Sequence, residues 1–301
     1  MLLGNFWFML HKNGVNKISG KDHRLVESVL RVLHSRGISV PVTVLTGQEG
    51  AEIINDYISK IRGSARDKNS SLESILAEAE RELIPLKKLD WIKKDERACY
   101  LVFIQIVMGE NEIIANTPYP VRQSLVECPI NTSERFEQIV KFLDRCGQSF
   151  SWKEELIDSL RQKWGGIFRA RKPFTWLERE NEEQCRWAWE YLKKLSWGFS
   201  RPSTDYLKPI TSSEMYLAIY GAFDSWNAGP DSKRLFLSDF NRAWQQKKHR
   251  DSRKGKKVCN LVLREEVKQK LDSMAAARGM KINQFVETLI ENEHAKTIQL
   301  K

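Results

Sequence analysis

The sequence lacks the patterns that mark several large classes of protein. Its five cysteines are scattered and contain no C-x-x-C pair, so neither a disulfide framework nor a zinc site is indicated. The longest apolar run, Tyr100–Met108, is far shorter than the ~20 residues of a membrane helix. The apolar start has neither a basic flank nor a small-residue cleavage pattern of a signal peptide. We therefore expect a soluble protein of a reducing cytoplasm, with no membrane association.

Motifs of catalysis are also missing. The chain has no G-x-S-x-G, and its five histidines show no metal-ligand spacing. The stretch "VTVLTGQEGAEII" has the order of a phosphate loop, but no lysine follows Gly50. Thr46 and Glu49 instead have the spacing of a helix capping box. We expect no catalytic residue, no cofactor and no metal.

Apolar spacing predicts a mainly α (α+β) chain, with helices at intervals from Asp22 to the C-terminus. "ISVPVTVLTG" predicts a strand, and the buried run "ACYLVFIQIVM" fits either a strand or a helix. "GGIFRARKPFTW" has the composition of a linker. We therefore predict three domains: residues 1–165 with an α/β or α fold of unknown function, a helical bundle at 174–250, and a small C-terminal domain at 256–296.

Positive charge is concentrated immediately before that last domain. The stretch Asn241–Lys257 contains eight basic residues and one acidic residue, which accounts for +7 of the formal net charge of +10. Such a run is most often a solvated segment. Here it leads directly into "KKVCNLVLR", which has the alternating pattern of a strand.

The C-terminal domain predicts a strand followed by two helices whose apolar faces need a partner. About 44 residues from Lys256 onward are too few to bury a core alone, so we expect a second copy to supply one. Two strands would then pair antiparallel and cover the helices of a homodimer. The residues expected in the dimer core are Cys259, Leu261, Leu263, Val267, Leu271, Phe285, Val286 and Leu289.

The opposite face of the strand carries Val258, Asn260 and Val262 and would remain exposed. A two-stranded ribbon fits the major groove of double-stranded DNA, where Asn260 would bind adenine and the two valines would contact thymine methyl groups. Strand, helix, "RGMKIN" turn and helix resemble the ribbon-helix-helix family of Arc, MetJ and CopG-type repressors. The resemblance implies a homodimer that binds double-stranded DNA sequence-specifically. Lys281 stands where that family often has Ser or Thr, so we expect its charge to attract a phosphate.

A longer stretch, about residues 182–296, is similar to the MatP family of chromosome-terminus organisers. "RWAWEYLKK" (Arg186–Lys194) precedes further helices, a basic helix end and the ribbon. The resemblance implies a helical bundle beside the ribbon and a nucleoid-associated protein of a bacterial cytoplasm. It would act in chromosome or plasmid organisation or in transcriptional regulation. The basic residues expected to contact DNA phosphates, together with Lys281, are Lys247, Lys248, Arg250, Arg253, Lys254, Lys256 and Lys257.

Two alternatives from other classes stay open. Residues 1–165 would be an effector enzyme that the C-terminal domain anchors to DNA, because the carboxylates of a nuclease need not be close in sequence. Alternatively, the protein is an antitoxin-like partner protein in which the C-terminal domain serves only to dimerise. In each case the N-terminal domain is a candidate for binding a protein partner.

Overall fold

The computed structural model describes residues 8–9, 14–108, 129–168, 173–195, 202, 204, 207–255, 257 and 259–299. The chain forms two compact units, Met1–Trp244 and Gln245–Lys301. The first unit contains the short antiparallel pair β1 (Phe8–Met9) and β2 (Lys17–Ile18). Its helices are α1 (His23–Ser35), α2 (Gly47–Lys60), α3 (Ala65–Glu82), α4 (Asp90–Lys94), α5 (Glu96–Met108), α6 (Thr132–Arg145), α7 (Phe150–Phe168), α8 (Glu182–Leu195), α9 (Ser212–Ser225) and α10 (Pro230–Ser252), whose last turns belong to the second unit.

Helices α1, α2 and α3 pack around one apolar core, and each begins at a side-chain cap. Asp22 accepts a hydrogen bond from the Leu25 backbone N–H, and Ser64 forms a capping box with Asp67. Asn55 of α2 exchanges two hydrogen bonds with the backbone of Ile18, at 2.8 and 3.1 Å. These bonds satisfy backbone groups of β2, so the short strand is held against α2.

Helix α5 lies at the centre of the first unit. Every residue from Ala98 to Ile106 is buried, because apolar side chains surround the whole helix. Cys99, Val102 and Phe103 pack with α6 and α7, whereas Tyr100 and Ile104 pack with α8, α9 and α10. At Gly221 of α9 an added Cβ would lie 2.5 Å from the Tyr100 ring, so glycine is what allows the two helices to approach. The undecided run "ACYLVFIQIVM" is thus a helix.

Aromatic rings fill the core between α8, α9, α10 and the segment that contains Phe174 and Trp176. Phe174 meets the rings of Tyr220, Phe223 and Phe240 edge-on, with centroids 5.2–5.5 Å apart. Such contacts add to the free energy of apolar burial. Trp189 is buried, while Trp187 packs at the edge of the core against Phe240. The first unit thereby holds the two tryptophans of "RWAWEYLKK" as packing residues.

Two ion pairs join α9 to α5 and α6. Arg97 binds Asp224 through two hydrogen bonds of 2.5 and 2.7 Å, and Arg135 pairs with Glu214. Burial raises the pKa of both carboxyl groups, and the arginine beside each opposes that rise. Because residues of 96–145 and of 212–225 share these pairs, they belong to one unit. The predicted boundary between 165 and 174 therefore differs from the observed division of the chain.

The second unit contains the end of α10 and two further helices, α11 (Glu265–Ala277) and α12 (Ile282–Gln299). The mainly helical class is confirmed, as are most of the predicted helices. The strand predicted at "ISVPVTVLTG" is wrong: residues 38–46 form no strand, and Ile38, Val40 and Val44 pack on the core of α1–α3. β-branched residues favour a strand only where a neighbouring strand is at hand. The predicted linker is also partly helical, since α7 continues through Gly165 and Gly166.

Replacement of Arg97 by alanine should destabilise the first unit strongly. The Asp224 side chain is 2% exposed, so the change leaves a buried carboxylate without its cation. We expect a loss of about 3 kcal/mol in the free energy of unfolding. The control is Lys60→Ala, which removes an exposed pair with Asp56 and should cost less than about 1 kcal/mol. Urea unfolding followed by tryptophan fluorescence measures both; equal small losses would contradict a structural role for the buried pair.

Candidate nucleic-acid interface

Helices α11 and α12 form a hairpin around a tight turn at Gly279. Gly279 has φ +62°, a left-handed conformation that side chains with a Cβ disfavour. The Gly279 N–H donates to the Ala276 carbonyl, and the Met280 N–H donates to the Ala275 carbonyl, both at 3.0 Å. These bonds satisfy carbonyl groups at the end of α11, as in a Schellman motif. The predicted glycine stop between the two helices is confirmed.

Within the hairpin itself the apolar core is small. Among the described residues of the second unit, only Ala275 and Phe285 are buried. The Arg278 guanidinium lies over the Phe285 ring, 4.8 Å from its centroid, and covers it by a cation–π contact. Phe285, one of the residues expected in the dimer core, therefore already packs within a single chain.

The other residues expected in the dimer core remain accessible in the single chain. Leu261 is 59% exposed, Leu263 38% and Leu289 37%, and Cys259 is exposed as well. Val267, Leu271 and Val286 are half-buried. Further apolar side chains of the hairpin are exposed beside them, namely Met274, Ile282 and Ile290. More apolar side chains of this unit are therefore accessible than are buried between its two helices, among the described residues.

The segment before α11 carries the residues predicted to read bases. Asn260 is exposed, and Val262 is as exposed as a residue in a free peptide. Val258 and Lys256 lie outside the described residues. No strand is assigned to residues 257 and 259–264, which are the described part of the predicted ribbon strand. A ribbon needs a second strand, so it stays a prediction for the assembled protein.

The predicted phosphate-binding residues differ in accessibility. Lys248, Arg250, Arg253, Lys254 and Lys257 are exposed. Lys247 is not equivalent to them, because its side chain is only 16% exposed and its ammonium group pairs with Asp251 one turn later on α10. Gly255, with φ +80°, follows the last turn of the helix.

Lys281 occupies the position before α12. Its carbonyl oxygen accepts a hydrogen bond from the Phe285 N–H at 2.9 Å, which is the first bond of that helix. A lysine side chain has no acceptor for the free N–H groups of the first turn, so it cannot cap them. The exposed ammonium group and the helix N-terminus are thus both available to an anion.

Charge within the second unit is strongly segregated. Residues 245–264 contain eight Lys and Arg against one acidic residue, a net charge of +7. Residues 265–301 contain six basic and six acidic residues, a net charge of zero. The positive potential therefore belongs to the end of α10 and the segment that follows it, and the helical hairpin contributes none of it.

Two features of the first unit bear on catalysis, namely its buried cysteines and the turn before α2. Burial raises the pKa of the Cys99 thiol to about 12 and that of Cys185 to about 11, so neither thiol is activated as a nucleophile. The start of α2 is a cap, since Thr46 accepts from the Glu49 N–H at 3.1 Å and Glu49 accepts from the Leu45 N–H. There an added Cβ at Gly47 would lie 2.1 Å from the Gly20 carbonyl oxygen, so backbone approaches this turn closely.

The described residues contain neither a metal-binding cluster nor a helix suited to cross a membrane. No group of three or more His, Cys, Asp or Glu side chains in this part of the chain is placed to hold a metal ion. None of the described helices combines the length and the apolar character that crossing a bilayer requires.

Sequence periodicity did not reveal the contact between Arg278 and Phe285. The two residues are separated by the turn, and no single helical face contains both. The Lys247–Asp251 pair had a visible signal, because its i, i+4 spacing on a helix brings opposite charges together. Its consequence for Lys247 as a phosphate ligand depends on burial, which spacing alone does not give.

Replacement of Gly279 by alanine should open the hairpin. The change forces a Cβ into the left-handed region, and we expect it to destabilise the unit by about 1 kcal/mol. Gly166→Ala is the matched control, since Gly166 lies within α7 with open space around it and should gain up to about 1 kcal/mol. Amide hydrogen exchange of α12 and of α7 measures the two effects; faster exchange only in α12 of the first variant is the expected result.

Comparisons with known proteins give this chain no relative: no protein-family model, curated protein or solved structure matches it. Function must therefore be inferred from the chain's own residues. The features that bear on it are the accessible apolar hairpin, the exposed Asn260 segment and the basic end of α10. All three lie in Gln245–Lys301.

Proposed function

We propose that the protein is a homodimeric, sequence-specific double-stranded DNA-binding protein of the ribbon-helix-helix type. The observation that carries this proposal is the exposed apolar surface of the second unit, directly adjoining a segment with a net charge of +7. The first property calls for a protein partner, and the second suits a polyanion. One arrangement meets both demands if the strands of two copies pair between the hairpins and the DNA.

A second copy is the partner that best fits this surface. The second unit exposes Leu261 and Leu263 before α11 and Leu289 on α12, and each would gain burial by packing on the same residues around a two-fold axis. The described residues of the segment before α11, 257 and 259–264, belong to no helix or strand, and pairing with an identical antiparallel segment would satisfy their backbone groups. Apolar burial and backbone pairing would thus both favour association through the same region.

Pairing of the strands would present Asn260 to the DNA. With Cys259, Leu261 and Leu263 turned towards the helices, alternation places Val258, Asn260 and Val262 on the outer face. An asparagine side chain is able to donate an amide N–H to N7 of adenine while its carbonyl oxygen accepts from the N6 amino group. The valines suit thymine methyl groups. Exposure of Asn260 and Val262 in the single chain is consistent with this role.

The biological outcome would depend on where the target sites lie. Sites beside promoters would make the protein a transcriptional regulator, whereas repeated sites in one region would make it an organiser of a chromosome or plasmid, as the MatP-like order of elements suggests. The first unit would then supply a partner-binding surface or a second activity. An antitoxin-like protein that only dimerises through its hairpin is the competing proposal, and the same exposed apolar surface supports it.

Introduction of a charge at Leu261 should prevent dimerisation. Leu261 is more than half exposed in the single chain, so Leu261→Glu should leave the hairpin folded but place a carboxylate in the dimer core. Analytical ultracentrifugation should find the wild type dimeric and this variant monomeric. The control is Leu86→Glu, at an exposed leucine of the first unit, which should stay dimeric. A wild type that is monomeric at all concentrations would contradict the proposal.

The reactivity of the Cys259 thiol provides a second measurement of dimerisation. In a background with Cys128→Ser, Cys259 is the exposed thiol, since Cys99, Cys146 and Cys185 are buried. Its reaction with a thiol reagent should be slow in the dimer and fast in Leu261→Glu, because packing within the dimer core would shield it.

Replacement of Asn260 by alanine should remove sequence specificity. Selection from random duplexes at two salt concentrations should enrich one palindromic site for the wild type. Asn260→Ala should then lose roughly 1–3 kcal/mol on that site and little on random DNA. Asn292→Ala, at an exposed asparagine of α12, is the matched control and should bind as the wild type does. Equal losses on both kinds of DNA would remove Asn260 from base recognition.

A further inference from the structure

Helix α10 has one side that is fixed by packing. Phe236, Phe240 and Trp244 recur every four residues, and all three are buried. Because a residue turns about 100° around the helix axis, the positions opposite Trp244 in the following turns can be identified. They are 246, 249, 250 and 253, which have the i, i+3, i+4, i+7 spacing of a single face.

The residues on that opposite face are Gln246, His249, Arg250 and Arg253, and all four are exposed. Arg253 continues the helical path for one more residue, since its N–H donates to the Arg250 carbonyl at 3.1 Å. Among the described residues, no acidic side chain pairs with Arg250 or Arg253. The one acidic residue of the region, Asp251, instead pairs with Lys247.

Lys247 and Lys248 lie on the other side of the helix, within about 60° of Trp244. Lys248 is exposed, but Lys247 is mostly covered and engaged with Asp251. The two lysines therefore have the same charge as the two arginines, but they project from a different face of the helix. Charge alone does not distinguish these pairs, whereas the phase of the helix does.

We infer that the face formed by Gln246, His249, Arg250 and Arg253 is a phosphate-binding surface for the DNA backbone, distinct from the base-reading ribbon. This inference rests on the proposed function, because it needs duplex DNA as the partner. It assigns the backbone contacts of α10 to Arg250 and Arg253, and it assigns none to Lys247.

The side chains on this face suit phosphate. Arginine presents a planar fork of N–H donors that binds phosphate oxygens in pairs, and it retains its charge at any physiological pH. Glutamine and histidine add further N–H donors, of the kind that contact the DNA backbone. This face is about two helical turns long and would run along the DNA backbone without reading bases. It would therefore contribute affinity and orientation.

A purely structural role for Arg250 is the competing explanation. A cation in the last turn of a helix interacts favourably with the negative end of the helix dipole. That role would stabilise α10 and would not depend on DNA. It also gives no reason for Arg253, which follows the helix, to lie on the same face.

The test compares two variants with the same loss of charge, Arg250→Gln with Arg253→Gln and Lys247→Gln with Lys248→Gln. Affinity of the full chain for the selected site and for random duplex is measured over a series of salt concentrations. Each lost phosphate contact should reduce the slope of log K against log salt by about 0.9, twice over in a dimer. We expect a reduction of roughly 3–4 for the arginine variant on both kinds of DNA, and a much smaller one for the lysine variant.

Conservative replacement separates the structural role from phosphate binding. Arg250→Lys with Arg253→Lys should keep most of the salt slope, while thermal unfolding of all variants checks that the helix remains. If the double arginine-to-glutamine variant and the double lysine-to-glutamine variant had equal salt slopes, the inference would be overturned and the proposed function would stand. Absence of any salt-dependent DNA binding by the wild type would overturn the proposed function, and this inference with it.

Discussion

A hairpin of two helices cannot bury its own apolar side chains, and the function proposed for this protein follows from that constraint. The unit Gln245–Lys301 has Ala275 and Phe285 as its buried residues in the described part, while leucines, isoleucines and a methionine are accessible around them. Small domains of this size usually obtain the missing core from disulfides, a metal or another chain. Cys259 is the single cysteine of this unit, which excludes an internal disulfide, and the proposed function takes association with a second chain as the source of the missing core.

The first unit, in contrast, buries its central helix completely within its own chain. Helix α5 is covered on every side, and the pairs Arg97–Asp224 and Arg135–Glu214 connect its surroundings to α9. Such pairs add little net stability compared with apolar packing, but the loss of one partner is costly. They therefore specify which helices are neighbours. Helix α10 takes part in this core through Phe236 and Phe240 and then continues as a basic helix.

Sequence reasoning predicted the helices well where the apolar period was long and a cap was present, as at Asp22, Thr46 and Asn131. It predicted the turn of the hairpin at Gly279 from equally local signals, whereas the outward direction of Asn260 stays a prediction, because no strand is assigned there in the single chain. It failed at residues 38–46, where β-branched residues suggested a strand and the fold supplies none to pair with. It also separated 1–165 from 174–250, because the Arg97–Asp224 pair spans 127 positions and leaves no periodic signal. Long-range pairing and the covering of Lys247 depend on tertiary packing, which a local pattern does not contain.

If the unit binds DNA as proposed, its charge and its apolar surface together limit the kind of recognition that it would perform. In the proposed ribbon, three side chains of each strand would face outwards, and Asn260 would be the one among them with hydrogen-bonding groups for a base edge. Direct readout by so few groups gives a short recognition sequence in each half of a palindrome. The net charge of +7 is carried entirely by the residues before α11, so phosphate contacts would supply most of the affinity. Specificity then depends on dimerisation, because only two copies held in register place two asparagines on one site at a fixed spacing. The apolar surface that the hairpin leaves accessible would thus determine sequence recognition as directly as the residues that touch the bases.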